Sequence, residues 1–539
     1  MRKILLAIVL FSFAVNHSFS QYNWGAVTAF GGSTSQTSQI RSATDGAGNT
    51  FVTGIYDGSY SFGQIPLTCV GINAGFVTLI NNGMVIWAKS FSEQNAFCDV
   101  VDIKYHNGFI YFAGNFSFYL TLDGTTIYSA GGNDVFLAKM DMNGGLIWMK
   151  AYGSTGDEYA SAMDLDATGN IYVAGSYYAS TTFDTQTITS AGMLDIYTAK
   201  FDSNGLCGWL KSAGGTNVDG ASGIVVKGSD IYTCGTFKGS NVSFGNGVTV
   251  TVSGSDFGIY LAKQDLNGIA QSASKVGQSP NLTIKNLSID NNNRLYFGGL
   301  YVGSINLGGN LPGAGSTNVW AACYTNSYAK AWAKTGGNAQ LADDIGGMTV
   351  TPNGNFAIVG NISAPMTFGP ITVPFSGNNT DVYTVIFDVN GTAVASQTAT
   401  GAGEHKGASV SSSGVNQLNY CGMLAGLTNF GTTSFTPSTS NNMFFISDLS
   451  LGVLDNEEIT SSSKYIISPN PTADFVSITI PTTTEDTRVE IMDANGKMLA
   501  IHRLSKVNNV IDLKTFENGI YFLKVINSKS TEVKKIVKK

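Results

Sequence analysis

The sequence predicts an all-β protein: a seven-bladed β-propeller whose last blade is completed by a strand from the N-terminus, followed by a smaller β module. Three observations carry this. A short motif recurs seven times, its closing glycines at Gly54, Gly114, Gly175, Gly235, Gly299, Gly360 and Gly422, so successive copies lie 60, 61, 60, 64, 61 and 62 residues apart. Each copy holds four short apolar runs separated by turn residues, with no helical periodicity between them, and four antiparallel strands are the unit of a propeller blade. Five of the six tryptophans (Trp24, Trp87, Trp148, Trp209, Trp332) occupy one position of the repeat, with Ser272 and Ala395 at the other two.

The chain begins with a leader. Arg2 and Lys3 precede the apolar run from Ile4 to Val15, and Ser18-Phe19-Ser20 forms a small-residue cleavage site, so residues 1–20 read as a secretory signal peptide. No later apolar run reaches the length of a spanning helix, and no transmembrane segment is expected.

The body, 21–450, holds the repeats. In the third copy, SAMDLDA (161–167) and NIYVAGSY (170–177) flank a Thr168-Gly169 turn, DIYTAKFD (195–202) follows a polar loop, and Ser203-Asn204-Gly205 leads into the strand of Trp209. Asn and Gly tolerate the positive φ that such hairpin turns need. The first segment of the body, around Trp24, has the pattern of a fourth strand, whereas MFFISD (443–448) has that of a third. The two termini of the body therefore complete one blade, which removes an open edge.

Residues 451–463 form a polar linker, and 464–539 a second module of alternating strands with Asn495-Gly496 as a hairpin turn and a lysine-rich final strand. From Lys464 on there are 12 basic and 8 acidic residues; setting aside Arg2 and Lys3, the body and linker together keep 16 basic and 29 acidic. With a net charge of −7 there is no electrostatic case for nucleic acid. The 43% hydrophobic content argues against disorder.

The run Asp-x-x-Gly-Asn-Ile-Tyr-Val-Ala-Gly (166–175), followed by Ala-Lys-x-Asp-x-Asn-Gly (199–205) and Trp209, resembles the bacterial SBBP-type β-propeller repeat, which lends a fold and no active site. The tail resembles the type A C-terminal sorting domain of the type IX secretion system of Bacteroidota. Pro469, Asn470 and Pro471, Gly496 and Lys497, Gly519 and Tyr521, and the lysine ending carry that likeness. It implies an Ig-like β-sandwich, handling by the type IX secretion machinery, and a secreted or cell-surface location.

Candidate chemistry is sparse. The sequence nominates no catalytic, cofactor-binding or metal-ligating residue. The Asp-x-Asn-Gly turns at Asp141, Asp202, Asp265 and Asp388 supply one acid each, where calcium takes six to eight oxygens, so they read as turns. His106, His405 and His502 have no ligand spacing and read as surface residues. Glu93, Asp157, Glu158, Asp219, Asp343, Asp344 and Glu404 fall in loops entering first strands, at one mouth of the propeller. They are either paired acids or caps of backbone N–H groups. Tyr56, Phe116, Tyr177, Phe237 and Tyr301, with Ile362 and Leu424 at the same position, read as packing between blades. Cys207, Cys234, Cys323 and Cys421 are expected to be isolated. Cys69 and Cys98 lie in loops of neighbouring blades expected on one face, and a bridge would close about 30 residues and contribute roughly 3–4 kcal/mol. The function these features support is a binding or scaffold module for a glycan or protein ligand; the alternative is a polysaccharide lyase or glycosidase at the propeller mouth.

Overall fold

The computed structural model describes residues 23–31, 37–69, 73–91, 97–239, 241–314, 317–337, 344–377, 379–414, 417–431, 433–435, 443–450, 465–480, 487–493, 498–526 and 531–539. The leader (1–20) and the linker (451–463) lie outside them. The chain divides into two compact units, Met1–Val453 and Leu454–Lys539. The described residues are all-β, with no helix.

Among the described residues the first unit holds seven antiparallel sheets with a four-strand core each, numbered 1 to 7 by their first strands Thr37–Thr44, Cys98–His106, Glu158–Leu165, Gly220–Lys227, Leu282–Ile289, Asp344–Val350 and Lys406–Ser412. Sheet 3 is representative: Glu158–Leu165, Ile171–Phe183, Gln186–Phe201 and Cys207–Ala213 lie side by side in chain order. Sheet 7 breaks that order. Its strands are Lys406–Ser412, Gln417–Leu424, Met443–Ser450 and, outermost, the N-terminal Asn23–Phe30. Thr28 pairs with Ile446, Ala29 with Phe445 and Phe30 with Phe444. The first strand of each sheet lies against those of its neighbours, and Lys406–Ser412 lies against Thr37–Thr44 of sheet 1, where the Ser409 and Ser42 hydroxyls bond at 2.9 Å.

Seven apolar clusters fill the seven spaces between successive sheets. The middle strands are therefore covered on both faces. That is why Asn49–Tyr56 and Phe109–Phe116 are buried almost from end to end and do not alternate. The tryptophans lock adjacent sheets together. On the outer strand of one sheet, the Trp87, Trp148, Trp209 and Trp332 indoles donate to Met142, Ser203, Leu266 and Val389 carbonyls at 2.9–3.2 Å, each in the third-to-fourth-strand turn of the next sheet. The turn glycine rests on the indole: a Cβ on Gly391, already at φ +76°, would come within 2.5 Å of Trp332. The exceptions obey the same logic. Where Ser272 replaces tryptophan, Tyr328 replaces the facing glycine and its hydroxyl bonds Ser272 at 2.9 Å. Ala395 faces sheet 7, whose third and fourth strands come from opposite ends of the unit and share no turn.

The loops between second and third strands are more ordered than the sequence reading of a polar loop. Each forms a further hairpin, such as Ser59–Phe62 with Ile65–Thr68 or Tyr119–Leu122 with Thr125–Tyr128. Each is anchored by buried apolar side chains, among them Phe62, Leu122, Phe183, Phe244, Leu307, Phe368 or Phe430 at one recurring position. The hairpins reach back over the preceding sheet. Phe368 occupies the space above Gly336, and Ala399, Thr400 and Gly401 pair with Phe430, Asn429 and Thr428. Outer strands that would otherwise be open edges are thereby covered.

The second unit has two antiparallel sheets. Ile466–Ser468, Phe475–Thr479 and Asn508–Asp512 form one, and Met498–Leu504, Thr487–Asp493, Gly519–Ile526 and Thr531–Lys538 the other. Val476, Ile478, Val489, Ile491, Leu523 and Val525 are fully buried in its core.

Candidate functional site

The first strands of all seven sheets line a central channel of about 610 Å3. Each carries a β-bulge at the same place, for example between Val100 and Asp102, Ala160 and Ala162, Ile284 and Asn286, and Ile345 and Gly347. A bulge re-aims the side chain beside it, and here it puts Val101, Ser161, Lys285 and Gly346 on the channel wall. The polar wall residues mostly stitch one sheet to the next. Arg41 Nε donates to the Val101 carbonyl at 2.9 Å, Asp102 accepts from Met163 N–H at 3.1 Å, and Asp164 accepts from Val226 N–H at 2.7 Å. Lys104 lies 3.5 Å from Asp102. Burial works to lower the Lys104 pKa, but Asp102 and Asp164 outweigh it and hold the ammonium above its ordinary value. Burial raises Asp164, against the pull of Lys104.

The acids expected at the mouth divide by place. Glu93 and Asp343 lie outside the described residues. Glu404 is exposed. Asp344 bonds its neighbour Ile345 N–H at 2.8 Å and lies 3.8 Å from Lys285. The rest cap backbone. Asp157 accepts from Asn133 N–H at 2.8 Å, Glu158 from Ser154 N–H at 3.1 Å, and Asp219 from Gly215 and Lys238 N–H at 2.7 and 3.0 Å. Glu158 and Asp219 are fully buried. They are joined there by acids missing from the sequence reading. Asp134 and Asp381 begin third strands, Asp195 lies within the third strand of sheet 3, and they bond the backbone N–H of Ala130, Ser376 and Ala191 at 2.5, 2.6 and 2.7 Å; Asn318, which begins the third strand of sheet 5, bonds Ala314 N–H at 2.8 Å. Their recurrence about 60 residues apart is the signal that could have found them.

Asp134 and Glu158 form a buried pair, both aimed over Gly153. Burial first, and then Glu158, pushes Asp134 up to about 7; burial pushes Asp219 up to about 6. His405 corrects the surface reading. It is fully buried, its Nδ1–H donates to the Thr380 carbonyl at 2.9 Å, and burial lowers its pKa. His106 is half-buried and His502 exposed. The Asp-x-Asn-Gly acids are turn formers: Asp141 accepts from Asn143 and Gly145 N–H at 2.8 Å each, and Asp388 from Asn390 and Thr392 at 2.9 and 2.8 Å. Tyr56, Phe116, Tyr177, Phe237, Tyr301, Ile362 and Leu424 are all buried between sheets.

Cys69 and Cys98, the two cysteines for which a bridge is expected, fall in different apolar clusters. Cys69 packs into the cluster between sheets 7 and 1, and Cys98 into the cluster between sheets 1 and 2, so sheet 1 stands between them. Cys207, Cys234, Cys323 and Cys421 are buried and unbridged, and burial pushes the Cys421 thiol up to about 12.

In the tail, Asn470 ties the Pro469–Pro471 turn to the last strand: its side chain donates to the Lys535 carbonyl at 2.8 Å and accepts from Val537 N–H at 2.9 Å. Tyr521 is buried, and its hydroxyl donates to the Glu517 carbonyl at 2.7 Å. Gly519 opens the strand that pairs with the lysine-rich end, Gly519 opposite Lys538. Gly496 and Lys497 lie outside the described residues.

Residues 466–539 match the family model of the secretion system C-terminal sorting domain. A tail of this kind directs a protein through type IX secretion to the outside or to the cell surface, and no helix among the described residues is long and apolar enough to cross a membrane. No curated protein matches the chain. Among solved structures it is similar to a Dyadobacter fermentans protein of unknown function, at 10% identity over 81% of this chain and 100% of that one, with a TM-score of 0.35. It is also similar to PorZ, a surface component of the type IX secretion system of Porphyromonas gingivalis (9%, 94% and 82%, TM-score 0.23), and to the phage phi92 endosialidase (8%, 96% and 87%, TM-score 0.35). At these scores none of the three carries an inference about ligand or activity.

Proposed function

We propose that the protein is a seven-bladed β-propeller of SBBP-type repeats from a member of the Bacteroidota, closed by its N-terminal strand. It is exported by the type IX machinery through an Ig-like sorting domain at 464–539, and it acts outside the cell as a binding or scaffold module. The observation that carries the binding reading is how three of the five described mouth acids are used. Asp157, Glu158 and Asp219 are held by backbone N–H groups, and the last two are fully buried. A glycosidase needs two accessible carboxyls flanking a bond. The test is a glycan array together with a polysaccharide digestion assay on the chain from Gln21 on. Retention on the array without release of new reducing or unsaturated ends is the expected result; turnover would overturn it.

The export half is tested separately. The tail is its own compact unit and Asn470 is bonded within it. A chain ending at Val453 should therefore fold and stay in the periplasm, and fusion of 464–539 to an unrelated periplasmic protein should send that protein out. Normal secretion of the shortened chain, followed by immunoblotting of culture supernatants, would refute the sorting role.

A further inference from the structure

A binding site on a repeat protein shows itself where one repeat departs from the others at exposed positions. The hairpin of sheet 2 does so. The entry residue of the hairpin is Ala179 (φ +56°) in sheet 3, and in sheets 1, 4 and 5 it is a left-handed glycine whose carbonyl accepts a bond from the hairpin's far end: Gly58 from Cys69 N–H, Gly239 from Val252 N–H, Gly303 from Gly313 N–H. Their φ values are +60°, +93° and +79°. In sheet 2 the same carbonyl belongs to Phe118, bonded by Ser129 N–H at 2.8 Å, with φ +62°. A bulky side chain in this region is strained, and burial does not offset the strain here, because Phe118 is 65% exposed.

The next positions depart in the same way. The outward pair at the base of the hairpin is Ser59 opposite Thr68 in sheet 1, Ser180 opposite Thr189 in sheet 3, and Ser304 opposite Pro312 in sheet 5. In sheet 2 it is Tyr119 opposite Tyr128, with ring centroids 6.0 Å apart and Tyr128 70% exposed. Phe97, also exposed, exchanges hydrogen bonds with Ser117 beside Phe118, in the place that Asp157 and Asn281 hold in sheets 3 and 5. Beyond the tyrosines, Thr121 and Thr126 face outward with hydroxyls 2.8 Å apart. The charge at the hairpin tip, Asp123, is engaged by Lys89.

We infer that this ledge of Phe118, Tyr119 and Tyr128 is a binding platform for a neutral glycan chain. A pyranose ring presents a face of C–H bonds rimmed by hydroxyls, which matches open aromatic faces flanked by threonine hydroxyls and no unengaged charge. The acidic body works against polyanionic chains. The inference rests on the binding reading above and names its ligand class.

The test is affinity electrophoresis of the chain from Gln21 on, in gels holding hydroxyethylcellulose, xyloglucan, galactomannan or xylan, with polygalacturonate as the charged comparison. The variant Phe118→Gly/Tyr119→Ser/Tyr128→Thr copies what sheet 1 carries at Gly58, Ser59 and Thr68, so it should fold and melt like the parent. Retardation by at least one neutral polysaccharide, weakened about tenfold or more in the variant, is the expected result. Equal retardation of both proteins would overturn the site while leaving the binding reading standing. Retardation by polygalacturonate alone, or by nothing, would overturn the neutral-glycan assignment; the binding reading, which includes protein ligands, then stands or falls on its own array.

Discussion

Removing residues 22–31 should abolish cooperative unfolding of the first unit. Asn23–Phe30 is the outermost strand of sheet 7, and its loss leaves Met443–Ser450 as an open edge of apolar residues, including Phe444, Phe445, Ile446 and Leu449. The damage spreads further than one strand. The Tyr60 hydroxyl donates to the Phe30 carbonyl and accepts from Phe444 N–H, both at 2.7 Å, so the hairpin of sheet 1 is clamped across the same seam. Trp24 packs edge-on against Tyr420 and Phe430 and donates to the Thr398 carbonyl at 3.2 Å. Losing one large buried aromatic costs about 3–5 kcal/mol, and here the buried Phe30 and the partly buried Trp24 go together with six cross-strand residue pairs. That is comparable to the roughly 5–15 kcal/mol by which a domain is stable at all.

A rescue separates loss of this strand from mere damage by truncation. Asn23 pairs with Ser450, so the two ends meet as hairpin partners. Placing 23–30 after Ser450 through an Asp-x-Asn-Gly turn, as in sheets 2, 3, 4 and 6, should restore a single sharp thermal transition. A truncated protein that melts like the parent, or a permuted one that stays aggregated, would show that this pairing does not hold the unit together.

The strand order was legible because it depends on local signals repeated many times. The Gly54-to-Gly422 spacing, the Asp-x-Asn-Gly turns and the tryptophans each recur, and one copy interprets another. Features that depend on which face a side chain takes were not. Cys69 follows its hairpin as expected, but Cys98 already opens the first strand of sheet 2, opposite Phe116, and the two point into different clusters, because sequence spacing fixes the neighbourhood and leaves the strand boundary and direction open. His405 has a polar neighbourhood in sequence and a buried one in space, since it enters sheet 7 where Thr380 closes over it. The hairpins anchored by Phe62 through Phe430 were missed because their strands have only two to four residues and a polar outer face. Their anchors, about 60 residues apart, carried the period all along. The aromatic ledge was hidden for the opposite reason: it is the departure from the repeat that marks it, and a departure is visible only once the structure aligns the copies.

Replacing Asp134 by Asn should stabilise the protein at pH 8 and leave it nearly unchanged at pH 4. Asp134 is fully buried at the start of a third strand, with one oxygen on Ala130 N–H and the other buried without a hydrogen-bond partner, facing Glu158 over Gly153. Burial and Glu158 raise its pKa to about 7 in the fold, against about 3.9 in an unfolded chain. Between those values the folded protein holds the extra proton, so its stability is full below about pH 4 and is lost progressively as pH rises toward 7. Asparagine keeps the bond to Ala130, can donate to Glu158, and carries no charge to desolvate; the chain itself makes this exchange at Asn318, whose side chain accepts from Ala314 N–H at 2.8 Å. The expected gain at pH 8 is about 1–3 kcal/mol, less than the full difference in pKa would give, because neighbouring groups relax. Asp219, raised to about 6 by burial, gives the same sign over a narrower window. Urea midpoints of parent and variant at the two pH values decide the matter. Equal shifts at pH 4 and pH 8 would mean that the gain is one of packing and that no buried charge resides at Asp134.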